Sequence, residues 1–146
     1  MSREIKKRPR LCPCGRVTAS GKRARYKKCC GALHKGLAPP SPEALMRSRF
    51  TAFALGLTDY LLSSVHRTGP LWRDDTDPWR AELDDYCRQT SFRNLEITHT
   101  AESDDDGFAE VAYQYEMETA GRSAVQTAHS RFKKQDGRWA WYDDVD

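Results

Sequence analysis

Four of the five cysteines stand in two knuckles, Cys12-Pro13-Cys14-Gly15 and, fifteen positions on, Cys29-Cys30-Gly31. A disulfide wants Cα atoms about 4.4 to 6.8 Å apart with converging Cβ vectors, and adjacent cysteines such as Cys29 and Cys30 reach that only through a strained ring. Pairing across the knuckles would satisfy the geometry better, and spacing alone leaves it open. The rest of the chain weighs against it. Met1 to Arg8 is positively charged with no apolar run behind it, unlike a secretory leader, and no stretch approaches the roughly 18 apolar residues of a membrane span. We therefore expect a cytoplasmic chain without a membrane span, whose thiols stay reduced. Paired thiolates suit a divalent d10 ion, because four soft sulfurs form a tetrahedron. A site closed by four protein ligands has no position left for substrate, so its role is structural. The expected ligands are Cys12, Cys14, Cys29 and Cys30, the expected ion is Zn2+, and iron is the second choice. His34 reads as an exposed residue of the basic surface rather than a ligand, and Cys87 as a core thiol.

The net charge of +3 hides a division. Residues 1–36 hold twelve Lys or Arg against the single acid Glu4, a balance of +11, whereas the remainder holds twelve basic and twenty acidic residues, a balance of −8. A tetrathiolate site returns about two negative charges and leaves the first segment strongly cationic. Such a surface attracts ribosomal RNA, anionic lipid headgroups or an acidic protein face. It equally suits a solvated leader, or one drawn to the chain's own acidic half. Tyr26 stands among Lys22, Arg23, Arg25, Lys27 and Lys28, and an aromatic amid cations is a stacking surface for bases. Nothing in the pattern reads DNA sequence. With few aliphatic residues, a segment below about 40 residues needs a metal or disulfides in place of a core, so metal binding and local folding should be one event.

The elements that position these groups follow in order. We divide the chain into a metal knuckle over 1–36, a proline-rich linker over 37–41 and a body over 42–146. Ser41 is a natural N-cap with Pro42 at the first helical position, and the apolar spacing runs to Leu55 before Gly56 stops the helix. Thr58 is placed to cap a second helix reaching Val65. Asp77-Pro78 repeats the start signal, and Trp79, Leu83, Tyr86 and Cys87 form one apolar stripe. The period then changes from 3.6 to 2. Strands are expected over Leu95 to Thr100, Ala109 to Met117, Ser123 to Lys134 and Trp139 to Tyr142, with turns at Asp104 to Gly107, Ala120-Gly121 and Asp136-Gly137. Three helices followed by a four-stranded antiparallel meander is an α+β order.

Cys12-Pro13-Cys14-Gly15, Ser20-Gly21-Lys22 and Tyr26 to Gly31 together resemble the SEC-C metal-binding motif, first known from the C-terminal tail of the SecA translocation ATPase. Pro42 to Ala54, Asp59-Tyr60-Leu61, His66, His129-Ser130-Arg131-Phe132 and Gly137-Arg138-Trp139 are similar to the YchJ (UPF0225) family. The resemblance implies a SEC-C knuckle followed by an NTF2-like domain, in which a curved sheet wraps helices into a cone. It brings no known reaction with it. The motif usually leaves about eight residues between its second and third cysteines and this chain has fourteen, a lengthening that costs roughly 0.6 kcal/mol per doubling of the loop. The extra residues are expected to loop out and spare the site. Some relatives carry a second knuckle at the C-terminus; with none before Asp146, a single knuckle is expected here.

Two functions of different class fit these residues. The first is an adaptor whose metal-ordered basic knuckle docks on an anionic protein or a ribosome or RNA surface linked to protein synthesis or export. The body would add a second contact surface, and a homodimer through the exposed sheet is a related expectation. The second is a small-molecule binder or enzyme using the cone, with His66, His99 and His129 converging on Arg49, Arg131 or Asp59 for acid/base work. That reading rests on fold analogy. Plainer roles compete with it: His66 complements a helix dipole at a C-terminus, and Arg131 pairs with a carboxylate such as Asp59. A cone filled by Trp139, Trp141 and Phe132 would leave it no room. No Walker loop, dinucleotide fingerprint or nucleophile elbow is present.

Overall fold

A computed structural model describes residues 8–145. Arg3, Glu4, Lys6 and Lys7 of the basic segment lie outside the described residues. The knuckle closes on two short antiparallel bridges, Leu11 with Arg25 and Val17 with Arg23, followed by a 3-10 turn at Tyr26–Lys28 and the short helix α1 (Cys30–His34). Residues 37–39 have no regular structure. Helix α2 (Pro42–Leu55) then starts as its cap signal requires. The Ser41 hydroxyl accepts from the Ala44 N–H at 3.1 Å, and Gly56 ends the helix at φ 76°, the left-handed conformation glycine adopts at no steric cost.

Two helix boundaries differ from the sequence reading. Helix α3 spans Thr58–Ser63, with Leu57 in the cap position, because the Thr58 hydroxyl donates to Asp84 instead of capping. It stops short of Val65 because the fourth strand captures the backbone there. The His66 N–H donates to the Trp141 carbonyl and the Trp141 N–H to the Ser64 carbonyl, both at 2.8 Å. Helix α4 spans Thr76–Gln89 and begins before Asp77, which leaves Pro78 within the first turn where no intrahelical N–H is needed. Of its apolar stripe, Trp79 and Cys87 are buried, while Tyr86 is 41% exposed.

Strands β1 (Thr90–Ala101), β2 (Ala109–Thr119), β3 (Arg122–Gln135) and β4 (Arg138–Asp144) form one antiparallel sheet in that order. The fold is thus α+β, as expected. Strand β1 starts five residues before Leu95, following α4 directly. Its pairing with β2 is irregular between Arg93 and Glu96, where Asn94 has φ 56°, and this bulge breaks the alternation that would have marked the strand. Ala120-Gly121 and Asp136-Gly137 both hold positive φ at two successive residues, as tight hairpins demand.

Helix α2 lies across the inner face of the sheet. Leu45, Met46 and Phe50 pack with Val111 and Phe132, flanked by Tyr113, Tyr115, Trp139 and Trp141. The opposite side of α2 is covered by the knuckle, so the helix is buried on two sides. No helix among the described residues is long and apolar enough to cross a membrane.

Candidate metal centre

The four sulfurs of Cys12, Cys14, Cys29 and Cys30 all lie within 4.8 Å of one another. Cys14 and Cys29 are 3.6 Å apart, and all four residues are free thiols, so no disulfide crosses the knuckles. A tetrahedron with metal–sulfur arms of about 2.3 Å has edges of about 3.8 Å, and the cage fits that figure. Its backbone is tightly fixed. Gly15 turns at φ 75° and donates to the Cys12 carbonyl at 3.2 Å, and the Arg16 N–H reaches the Cys14 sulfur at 3.4 Å. Gly31 serves by having no side chain: a Cβ there would sit 2.6 Å from the Tyr26 carbonyl oxygen and 3.0 Å from its ring. The lengthened loop does not dangle. The Thr18 N–H donates to the Lys22 carbonyl and the Ala24 N–H to the Arg16 carbonyl, both at 2.8 Å, so the added residues form a small hairpin beside the sulfurs.

Charge is unevenly spread over the sulfurs. The Cys29 sulfur is pushed far down by the thiols of Cys12, Cys14 and Cys30 donating to it, helped by Arg16 Nε at 3.2 Å. Cys12 is lowered to about 6, chiefly by Cys14. Cys14 is held up by Cys12, and Cys30 by Cys12, Cys14 and Cys29, with burial adding to both. Four sulfurs this close cannot all be thiolates without a cation, and a divalent ion would replace the protons on Cys14 and Cys30. Such an ion would supply a fixed cross-link between the two knuckles. The four described donors could fill a tetrahedron around such an ion, the ligand set of a structural rather than a catalytic site.

Helix α2 supports the cage from behind with groups that the sequence reading did not assign. Arg47 Nη1 donates to the Cys14 carbonyl at 2.8 Å, and the Thr51 hydroxyl donates to the Cys30 sulfur at 3.4 Å. Such outer contacts fix ligand orientation. Leu55, Leu57 and Leu95 pack against the sulfurs. The available signal was the spacing of Arg47, Ser48 and Thr51, polar positions one turn apart in an otherwise apolar helix.

Two expectations for the basic segment are corrected. His34 is half-buried: its Nδ1 lies 2.7 Å from the Tyr26 hydroxyl and its Nε2 2.8 Å from the Ser48 carbonyl. A carbonyl only accepts, so Nε2 carries the proton and Nδ1 accepts from tyrosine. Tyr26 is only 4% exposed and belongs to the knuckle's core, so it offers no stacking face. It is buried because the Gly31 backbone packs against its ring. Lys22, Arg23, Arg25, Lys27 and Lys28 are all exposed.

The His34 arrangement yields a pH prediction. Burial holds the imidazole below its ordinary 6.5. A histidine whose folded value lies below its unfolded one leaves stability intact above the unfolded value and takes it away as pH falls through 6.5 toward the folded value. An NMR titration should therefore place the His34 midpoint below 6.5. A midpoint above that value would mean that the ring is not held between tyrosine and carbonyl.

The six residues proposed for the cone do not converge. Arg49 alone lines its cavity. Asp59 is on the surface, with Arg80 Nε at 3.0 Å. His66 is buried, with Nε2 3.2 Å from the Lys134 carbonyl and Nδ1 accepting from the Thr68 N–H. His129 sits 2.7 Å from Glu110, and His99 is exposed on β1. Arg131 forms two 2.8 Å bonds to Asp143 rather than to Asp59, and its guanidinium lies 4.1 Å from the Phe108 ring centre. On β3 the buried Phe132 fixes the inner parity, so Ala128 and Ser130 face the cone while His129 and Arg131 face outward.

A four-cysteine cage set on a helix-and-meander cone is the design of SEC-C proteins with an NTF2-like body. The profile described as "YchJ, middle NTF2-like domain" matches residues 41–144. A UPF0225 protein of Xanthomonas campestris pv. campestris is 38% identical over 133 residues, spanning 90% of this chain and 92% of that one. The chain belongs to the YchJ (UPF0225) family. Among solved structures, a SEC-C motif containing protein from Rhodopseudomonas palustris superposes with a TM-score of 0.70 at 29% identity, over 90% of this chain and 99% of that one. A SEC-C motif containing protein from Psychrobacter arcticus gives a TM-score of 0.73 at 22% identity, over 95% of this chain and 82% of that one, and so supports the fold.

Proposed function

We propose that this protein is a cytoplasmic adaptor whose metal-ordered knuckle presents a cationic surface to an anionic partner connected with protein synthesis or export. The observation that carries this reading is the placement of Lys22, Arg23, Arg25, Lys27 and Lys28. All five are exposed on backbone that the sulfur cage pins, so an ion at the cage sets the geometry of the charge. The likeness of the knuckle to the SecA tail gives the partner class. Zn2+ is the proposed ion, with iron as the alternative for an all-sulfur tetrahedron. The outer sheet face provides the second contact surface, toward the partner or another copy of the chain.

Sedimentation of the metal-loaded protein with purified ribosomes is the test. Binding should fall about a hundredfold or more between 50 and 200 mM salt if these five cations meet phosphates. It should be lost in Cys12→Ser/Cys14→Ser and in Lys22→Glu/Arg23→Glu/Arg25→Glu. Binding that persists in the cysteine variant overturns the metal-ordered docking surface.

A further inference from the structure

The cone between α2 and the sheet keeps a cavity of about 190 Å3, walled by Phe50, Phe53, Phe92, Tyr115 and Trp141. One cation, Arg49, enters this aromatic space, with the carboxylate of Asp144 also on the lining. The Arg49 side chain is buried, the residue being only 6% exposed, with its guanidinium 4.5 Å from the Trp141 ring centre. Its Nη1 donates to the Leu61 carbonyl at 2.8 Å and to the Ser64 hydroxyl at 2.5 Å. Among the described residues, Nε and Nη2 have no hydrogen-bond partner, and no carboxylate lies within ion-pair distance. Burial pushes the group down to about 10, which leaves it charged at neutral pH. A buried cation with its bidentate edge unused is unfavourable unless an anion completes it.

The rim of the cavity is also polar by construction. The irregular pairing of β3 with β4 between Arg131 and Phe132 inserts an extra residue, and the bulge returns Asp144 to the inner face after Asp143 has turned outward to Arg131. There the Ser130 hydroxyl donates to Asp144 Oδ1 at 2.7 Å and lies 3.2 Å from the Tyr113 hydroxyl.

From the free Arg49 edge, the aromatic walls and the volume, we propose that the cone is a binding site for a small aromatic monocarboxylate. The carboxylate pairs with Nε and Nη2 of Arg49, and the ring lies among Phe50, Phe53 and Trp141. An engineered cavity of about 150 Å3 accepts benzene, so the space here suits one six-membered ring and its carboxylate. Asp144, which lines the same cavity and acts electrostatically on Arg49, opposes every anion there and a dianion more than a monoanion, so the bound species carries a single charge. This inference stands apart from the adaptor reading, since it uses no residue of the basic surface.

The test is titration of the full metal-loaded chain with benzoate, followed by amide NMR shifts. Saturable shifts are expected at Arg49, Ser130 and Trp141, and benzamide, which keeps the ring and loses the charge, should bind at least tenfold more weakly. Arg49→Met should abolish the benzoate response. Because that change touches a buried position, Ala128→Leu provides an independent arm: it fills the cavity from β3, leaves the guanidinium in place, and should remove binding without altering the sheet's circular dichroism. The proposal is overturned if benzoate binds no better than benzamide or if folded Ala128→Leu binds like the parent. Absence of saturable shifts up to about 10 mM, where even a millimolar site fills, overturns it as well.

Discussion

Replacing Cys14 and Cys30 with serine will remove the metal and the fold of the knuckle together, while the sheet survives. The buried residues of the segment from Arg8 to Gly36 include Cys12, Cys14, Ala24, Tyr26, Cys30 and Leu33, so much of its interior is sulfur. Small metal sites of this kind derive about 10–16 kcal/mol from their ion, far more than these few apolar groups supply. Elemental analysis should show bound metal falling from stoichiometric to none, with hydrogen-exchange protection lost across the bridges that join Leu11 to Arg25 and Val17 to Arg23. Protection in β2 and β3 should persist, because Val111 and Phe132 belong to a packing cluster separate from the sulfurs. Full protection of the knuckle amides in metal-free protein would show that the ion does not order the segment.

What could be read from the sequence, and what could not, follows from how local each signal is. Ser41, Pro42 and Gly56 act within a few bonds of themselves, so the ends of α2 were legible, as were the Ala120-Gly121 and Asp136-Gly137 turns. The sulfur cage was legible because its two halves are contiguous knuckles. The faces of α2 were harder. Arg47, Ser48 and Thr51 look like an interruption of its apolar pattern, and their role emerges only when the knuckle docks on that side. The buried Arg49 likewise has meaning only once Leu61, Ser64 and Trp141 close around it. His129 and Arg131 show the opposite case. Their outward direction was available from Phe132, since an apolar anchor at one strand position sends its odd-numbered neighbours to the other face. Asp144 was not available in this way, because a bulge moves it across the sheet after the alternation has been counted.

The body has an equivalent point of failure in Phe132, and Phe132→Ala should cost about 3–5 kcal/mol. The residue is 1% exposed, sits on β3 between two paired neighbours, and packs in one cluster with Leu45, Met46, Phe50 and Val111. It also lines the cone, so the lost ring would merge with space already present there. Held by α2 on one side and the sheet on the other, the neighbours have little freedom to collapse inward. For a body of about 100 residues a loss of this size lowers Tm by roughly 15 °C or more. At low temperature the variant should keep its metal, because Phe132 does not touch the sulfurs' packing cluster. Heating should reveal the coupling: once the body melts, α2 no longer supplies Arg47 to the Cys14 carbonyl, the Ser48 carbonyl to His34, or Thr51 to the Cys30 sulfur. Metal release, followed with a chromogenic chelator, should therefore move down in temperature with the circular dichroism transition. Release that stays at the parent temperature while the sheet melts earlier would show that the knuckle holds its ion without the helix behind it.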